Sequence, residues 1–224
     1  MLERTDRAGL ALRPASLLEA LRERTRDLHV RAERSGIIAD ILRGRITRAD
    51  YARLLRSLLP VYQALEQQLA TCAWSSAIAP IVRPELERAR AIAADLHHLP
   101  LGQEEQSPAV TRYVSAIMAA SEGDGSRLIG HAYARYLGDL SGGQILSRLL
   151  ARSLDLPPEA LSFYAFPAIS DIGAFKSDYQ AAIDRAGDES EDFDVVVEEG
   201  ALAFELNIDL SLALQADIAR ALRN

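Results

Sequence analysis

The sequence has a single cysteine, Cys72, among its 224 residues. One thiol cannot form an internal disulfide bond or a zinc site built from cysteine ligands, so we expect a protein of a reducing compartment, the cytoplasm. No apolar run approaches the roughly 18 residues of a membrane helix. Residues 1–13 carry charged side chains where a signal peptide would have an apolar centre. We therefore expect neither a membrane span nor a secretory signal.

Aromatic residues make up only 6% of the chain, and β-branched residues rarely cluster outside Val195-Val196-Val197. Strands favour these residue types, whereas the abundant alanine, leucine and arginine favour helices. Apolar residues recur every three or four positions, which predicts helices over residues 16–34, 47–72, 79–97, 108–121, 125–153, 171–186 and 194–222. We predict an all-α fold with one domain, residues 14–224, after a flexible segment at residues 1–13.

Charge is unevenly distributed along the chain. Residues 1–56 contain thirteen arginines and eight acidic residues, whereas the remainder contains twelve basic and twenty-four acidic residues. The arginines between positions 22 and 34 alternate with acidic residues, a pattern typical of a solvated helix. We therefore expect no nucleic-acid partner, and the basic amino-terminal region is a candidate contact surface for an acidic protein.

Three glycines, Gly138, Gly142 and Gly143, interrupt a segment that otherwise has strong helical periodicity. Each costs a helix about 1 kcal/mol relative to alanine, so the bare backbone must serve a purpose. Gly138 and Gly142 are four residues apart and share one helix face, with Gly143 beside them. Two interpretations remain open at this point. The strip allows either close packing of a neighbouring helix with a kink, or close approach of a broad planar ligand.

His29 lies in a second segment of strong helical composition. Glu33, at position i+4, shares its helix face and is placed to accept a hydrogen bond from the imidazole. Arg22, two turns earlier, lies about 10 Å away along the axis, where it suits a ligand carboxylate. An ordinary exposed ion pair with a nearby surface arginine would have the same spacing.

For His131 we expect a packing or capping role, and we expect Thr47 and Asp50 to form a capping box.

Two segments resemble the heme oxygenase family. The run Tyr133 to Gln144, YARYLGDLSGGQ, is similar to the signature of that family, and Thr25 to Glu33, TRDLHVRAE, resembles its proximal-histidine helix. Phe175-Lys176 and the run Ala203 to Ile208 resemble later family landmarks. The resemblance extends from about residue 16 to about residue 215.

The resemblance implies a helical fold in which heme lies between a proximal helix and a kinked distal helix. His29 would be the axial ligand of the heme iron, oriented by Glu33, and the three glycines would let the distal backbone lie against the porphyrin. Asp139 would organise distal water and deliver protons, with Arg135 one turn before it. The remaining expected heme contacts are Arg22, Tyr133, Ser141, Lys176 and Phe204, of which Arg22 and Lys176 would face the propionates.

Two positions depart from the familiar family pattern. Gln180 stands where mammalian relatives have an arginine, which removes one positive charge from the expected propionate clamp. Leu59 stands where many relatives have a tyrosine, three residues before Tyr62. Alpha cleavage is therefore a default expectation, and the position at which the ring opens is not fixed by these residues.

The resemblance implies an enzyme that uses heme b as both substrate and cofactor. Dioxygen and external electrons would convert it to biliverdin, carbon monoxide and ferrous iron. Flavin and nicotinamide motifs are absent from the sequence, so we expect a ferredoxin or flavodoxin with its reductase to supply electrons, and a bilin-using protein to be a possible recipient of the product. The alternatives are a heme carrier, store or sensor that does not degrade heme, and a related helical enzyme acting on another small molecule, such as thiamin.

Overall fold

The computed structural model describes residues 16–100, 102, 107–221 and 223, so the segment expected to be flexible, residues 1–13, lies outside it. The described residues form α-helices, short 3₁₀ turns and one π-helical turn, without a β-strand. The all-α prediction is therefore confirmed. The α-helices are α1 (Leu17–Arg34), α2 (Gly36–Leu42), α3 (Arg48–Thr71), α4 (Ala89–Leu96), α5 (Pro108–Ala120), α6 (Leu128–Gly138), α7 (Gln144–Leu154), α8 (Ile172–Asp188) and α9 (Phe193–Ala221).

Local sequence signals fix several helix starts. At α3 the Thr47 side chain accepts a hydrogen bond from the backbone N–H of Asp50, and the Asp50 carboxylate accepts one from the backbone N–H of Thr47. This is the predicted capping box, and such caps stabilise a helix by about 1 kcal/mol. Ser16 caps α1 in a similar way by accepting a hydrogen bond from the N–H of Glu19.

Two parts of the helix prediction are wrong. Residues 79–97 are not one helix: two single 3₁₀ turns, Ala79–Ile81 and Pro84–Leu86, precede α4, which begins only at Ala89. Proline lacks the N–H that an α-helix needs, and Pro80 and Pro84 fall inside the predicted span. The second error is the omission of α2, a short helix that begins at Gly36.

Gly36 has a positive φ of 57°, and a Cβ there would lie 2.3 Å from the backbone of Ser211 in α9. Glycine is therefore required twice over, by the left-handed conformation and by the close approach. The residue turns the chain sharply between α1 and α2 while keeping α2 against α9.

The longest helix, α9, supports both sides of the cavity described below. It packs against α1, α2, α5 and α6. A Cβ at Gly130 in α6 would lie 2.5 Å from the Gly200 nitrogen in α9, so glycine lets the two backbones come into contact. A Cβ at Gly200 would lie 2.4 Å from Leu21 of α1. Because α9 contacts α1 on one side and α6 on the other, it sets the separation between them.

The predicted helix at residues 125–153 is divided into α6, a π-helical turn at Asp139–Gly143, and α7. A π turn holds an extra residue and changes the direction in which side chains project. None of the helices in the described part of the chain combines the length and the apolar composition needed to cross a bilayer.

Candidate functional site

A cavity of about 630 Å³ lies between α1 and the segment formed by α6, the π turn and α7. This volume is within the range of small-molecule and cofactor sites, about 300–1,000 Å³. All twelve residues predicted for the site line the cavity: Arg22, His29, Glu33, Tyr133, Arg135, Gly138, Asp139, Ser141, Gly142, Gly143, Lys176 and Phe204. The fold thus brings together residues that are up to 182 positions apart in the sequence.

His29 is on the α1 side of the cavity, and its side chain is 58% exposed. Its Nδ1 atom is 3.7 Å from Glu33 Oε1, which is too long for a hydrogen bond. The expected hydrogen bond from the imidazole to Glu33 is therefore not formed in this structure. The imidazole ring lies 5.9 Å from the ring of Phe204, which lies 6.2 Å from Tyr133. Phe204 of α9 therefore lies beside the histidine, and Tyr133 of α6 lies beside Phe204.

Gly138 and Gly142 face open space. A Cβ built on either residue would have no atom of a neighbouring element within 4 Å. Close helix packing would have placed such atoms there, so these two glycines match the second interpretation, close approach of a flat ligand. Gly143 is different, because a Cβ there would lie 3.1 Å from Tyr164 Cδ1. That glycine is needed for packing, and the predicted strip of three glycines is open at only two positions.

A buried polar network occupies the end of the cavity beside the π turn. The Tyr62 hydroxyl donates a hydrogen bond to Asp139 Oδ2 at 2.5 Å. Arg135 donates to the same hydroxyl from Nε at 3.0 Å and from Nη2 at 2.6 Å, and donates to Asn207 Oδ1 from Nη1. The predicted i,i+4 pair of Arg135 and Asp139 is present, with 3.8 Å between Nη2 and Oδ1. Tyr62 therefore bridges the arginine and the aspartate.

The hydrogen-bond geometry defines the direction of the Tyr62 hydroxyl proton. Tyr62 has one hydroxyl proton, and both arginine donors occupy the acceptor side of its oxygen, so the proton points to Asp139. Asp139 accepts it at Oδ2. Burial raises the pKa of Asp139, while the positive charge of Arg135 and the hydrogen bond from Tyr62 act against that rise. The net effect is a raised pKa, so the surroundings of Asp139 favour its protonation more than water does.

Besides Arg135, two cationic residues line the cavity, one from α1 and one from α8. Arg22 projects from α1, and Lys176 from α8 donates a hydrogen bond from Nζ to Ser141 Oγ at 2.6 Å. Lys176 thereby connects α8 to the π turn. Gln180 lines the cavity one turn after Lys176, so the uncharged substitution noted in the sequence does lie at the site.

The prediction did not assign Tyr62, Asn207, Phe163 or Tyr164 to the site. Tyr62 was noted only for its distance from Leu59, and Asn207 only as a member of a matching segment, while Phe163 and Tyr164 had no signal at all. All but Tyr62 line the cavity directly. Tyr62 is fully buried behind it. No local spacing could have identified these residues, because Tyr62 and Asn207 are more than 70 positions from Arg135.

His131 lies outside the cavity. It is fully buried, and its Nε2 atom is 2.9 Å from Glu199 Oε1 in α9. The expected packing role agrees with this position between α6 and α9.

Comparison with known proteins gives a consistent match. The family model for heme oxygenase matches residues 15–213. Human heme oxygenase 1 is 36% identical over 209 residues, covering 90% of this chain and 73% of the human protein. The heme oxygenase of Guillardia theta is 35% identical over 206 residues, covering 89% of this chain and 86% of that protein.

Solved structures match over nearly the same range. The heme oxygenase of Leptospira interrogans superposes with a TM-score of 0.82 at 36% identity, covering 88% of this chain and 98% of that one. Heme oxygenase-1 of Synechocystis sp. PCC6803, solved in complex with heme, superposes with a TM-score of 0.84 at 30% identity, covering 93% and 96%.

Proposed function

Because the chain belongs to the heme oxygenase family, whose general function is the degradation of heme, we propose that it binds heme b in the cavity beside α1 and opens the ring to biliverdin. Carbon monoxide and ferrous iron are the other products, and alpha cleavage is the default. The observation that carries this proposal is the open backbone face of Gly138 and Gly142, which lies next to the buried carboxylate of Asp139. A flat ligand on that face would have the polar network at its edge.

The cavity residues fit heme. His29 supplies an exposed imidazole for the iron, and Gly138 and Gly142 leave room for the ring plane. Arg22 and Lys176 provide one cation from each side of the cavity for the two propionates. In this arrangement Lys176 would exchange its hydrogen bond with Ser141 for one with a propionate. Bound heme supplies the iron at which dioxygen is activated, and it is itself the molecule that is cleaved.

Asp139 is the residue to which we assign proton delivery. A carboxyl group whose pKa is raised by burial takes up a proton more readily than an exposed one, which suits a group that receives and passes on protons. Tyr62 and Arg135 hold that carboxylate in one position through direct and bridged hydrogen bonds. A protein that only carries or senses heme would not need a carboxyl group that delivers protons. Membership of the heme oxygenase family does not favour the carrier or sensor function.

Electrons must come from outside the chain. We propose a ferredoxin or flavodoxin with its reductase as the donor, and the basic amino-terminal region as its contact surface. Several arginines of α1 and the following elements are exposed, among them Arg31 and Arg34 near the end of α1. Opposite charges accelerate encounter, so reduction by an acidic ferredoxin should slow as salt is added. A rate that is insensitive to ionic strength would contradict the electrostatic part of this proposal.

The proposed activity can be tested by absorption spectroscopy. The purified protein is mixed with one equivalent of hemin, and ferredoxin, its reductase and NADPH are added in air. Loss of the Soret band together with growth of the broad red band of biliverdin would support the proposed reaction, and chromatography of the product would identify the isomer. A heme complex that is reduced but keeps its Soret band would instead favour the carrier or sensor function.

A further inference from the structure

Phe163 and Tyr164 line one side of the cavity. They belong to residues 162–166, a segment that contains the 3₁₀ turn Ser162–Tyr164 and is here called the wall. The ring of Phe163 packs edge-on against the ring of Tyr62, with 5.5 Å between centroids. The ring of Tyr164 packs against Gly143 of the π turn. The wall therefore contacts both the tyrosine that donates to Asp139 and the turn that contains Asp139.

Asp95 holds this wall from outside the cavity. It belongs to α4, and it is fully buried. Its Oδ1 atom accepts a hydrogen bond from the Ser162 N–H at 2.8 Å, and its Oδ2 atom accepts one from the Phe163 N–H at 2.9 Å. Burial raises the pKa of Asp95, and these two hydrogen bonds act against the rise. Each carboxylate oxygen therefore serves one amide at the start of the turn.

Two other side chains form hydrogen bonds to later residues of the wall. Gln144, the first residue of α7, donates from Nε2 to the Tyr164 carbonyl at 2.8 Å. Arg88, at the start of α4, donates to the Ala165 carbonyl and stacks 4.1 Å from the Phe166 ring centroid. Asp95 is the one of these three that bonds to Phe163, and Phe163 is the wall residue whose ring contacts Tyr62.

We propose that Asp95 is a positioning residue for the distal side of the cavity. By fixing the backbone of Phe163 it fixes the Tyr62 ring, and with it the 2.5 Å hydrogen bond from Tyr62 to Asp139. The consequence for catalysis, a high yield of ring-opened product per electron, rests on the proposed function. The positioning itself does not rest on it and is measurable in the heme-free protein.

The first test measures the Tyr62 hydroxyl proton by NMR. A short hydrogen bond shifts such a proton to low field, and the signal is assigned by its loss in Tyr62→Phe. In Asp95→Asn a single carbonyl oxygen must serve two amides, so Phe163 loses its fixed position. We expect the Tyr62 signal to move to higher field or to broaden. An unchanged signal would overturn the proposal.

The matched control is Asp50→Asn. Asp50 is also a buried carboxylate that accepts hydrogen bonds at the start of a helical element, but its partner is Thr47 at α3. This variant removes the same charge and should leave the Tyr62 signal unchanged. If both variants shift the signal equally, the effect is a general loss of stability, and Asp95 has no special role.

The second test measures biliverdin formed per electron supplied, in the wild type and in both Asn variants. A displacement of about 1 Å at a catalytic group can cost about a hundredfold in rate, so we expect Asp95→Asn to form less biliverdin per electron, by up to about that factor, with unchanged heme affinity. A yield equal to that of the wild type would overturn the proposal. If the wild type itself forms no biliverdin, the proposed function fails, and the NMR result alone decides whether Asp95 positions Tyr62.

Phe163→Leu provides an independent variant should Asp95→Asn not fold. It keeps the backbone hydrogen bonds to Asp95 and removes the edge-on contact with Tyr62. The same shift of the Tyr62 signal and the same loss of yield are expected. If neither changes, Phe163 does not transmit the position of the wall, and the proposal is wrong.

Discussion

Gly138→Ala should affect stability and heme binding in opposite directions. Gly138 has helical backbone angles, φ −62° and ψ −48°, and a Cβ there would meet no neighbouring atom within 4 Å. Alanine is better than glycine in a helix by about 1 kcal/mol, and nothing in the heme-free structure offsets this gain. We therefore expect the free energy of unfolding of the heme-free protein to rise by about 1 kcal/mol, or roughly 2–4 °C in Tm for a chain of this size.

The same methyl group should weaken heme binding. It projects into the cavity at the point where the backbone is expected to lie against the ring. Overpacking of this kind costs about 1–3 kcal/mol, which corresponds to a rise of about 5- to 150-fold in the dissociation constant. Urea unfolding of the heme-free protein and titration with hemin measure the two effects separately.

Gly143→Ala is the control for this experiment. A Cβ at Gly143 would lie 3.1 Å from the ring of Tyr164, so the helical gain should be cancelled by crowding. We expect no net stabilisation from this substitution. The reasoning would be refuted if Gly138→Ala lowered the stability of the heme-free protein, or if it bound heme as tightly as the wild type.

Three further predictions concern the two sides of the cavity. His29→Ala should change the ferric heme spectrum and lower turnover, because the proposed axial bond is lost; an unchanged spectrum would exclude His29 as the ligand. Asp139→Ala should leave heme binding nearly intact while biliverdin yield falls, since only the proton donor is removed, and an unchanged yield would contradict proton delivery. Asp139→Asn should be more stable than the wild type at neutral pH. Burial raises the pKa of Asp139 in the folded protein above its value in the unfolded chain. The contribution of Asp139 to the free energy of unfolding is therefore fully present below the unfolded pKa. It is lost as the pH rises through the folded pKa. The stability difference, measured by urea unfolding, should therefore shrink on acidification, and a constant difference would argue against a raised pKa.

The sequence predicted features that depend on neighbouring residues. Helical periodicity placed α1, α3 and α5 within a few positions of their observed ends, and the capping box of Thr47 and Asp50 is present. Arg135 and Asp139, which are four residues apart, also form an ion pair in the fold, with 3.8 Å between Nη2 and Oδ1. These features follow from helix geometry alone.

Features that depend on tertiary contacts were not predictable in this way. Tyr62 and Asp139 are 77 positions apart, and only the packing of α3 against α6 brings them within 2.5 Å. Gly142 and Gly143 are adjacent and were expected to act together. They differ because neighbouring positions on a helix point about 100° apart, so that only Gly143 meets Tyr164.

The helix predicted at residues 79–97 failed for a local reason. Apolar residues recur there with helical spacing, but Pro80 and Pro84 prevent one continuous helix. The observed 3₁₀ turns place proline at a first-turn position, where its missing N–H costs little.

The most direct test of this account is a crystal structure of the heme complex. The account predicts heme in the cavity beside α1, with the iron bonded to His29, the backbone of Gly138 and Gly142 against the opposite face of the ring, and Asp139 on that same side. Heme bound outside this cavity, or an iron ligand other than His29, would contradict it.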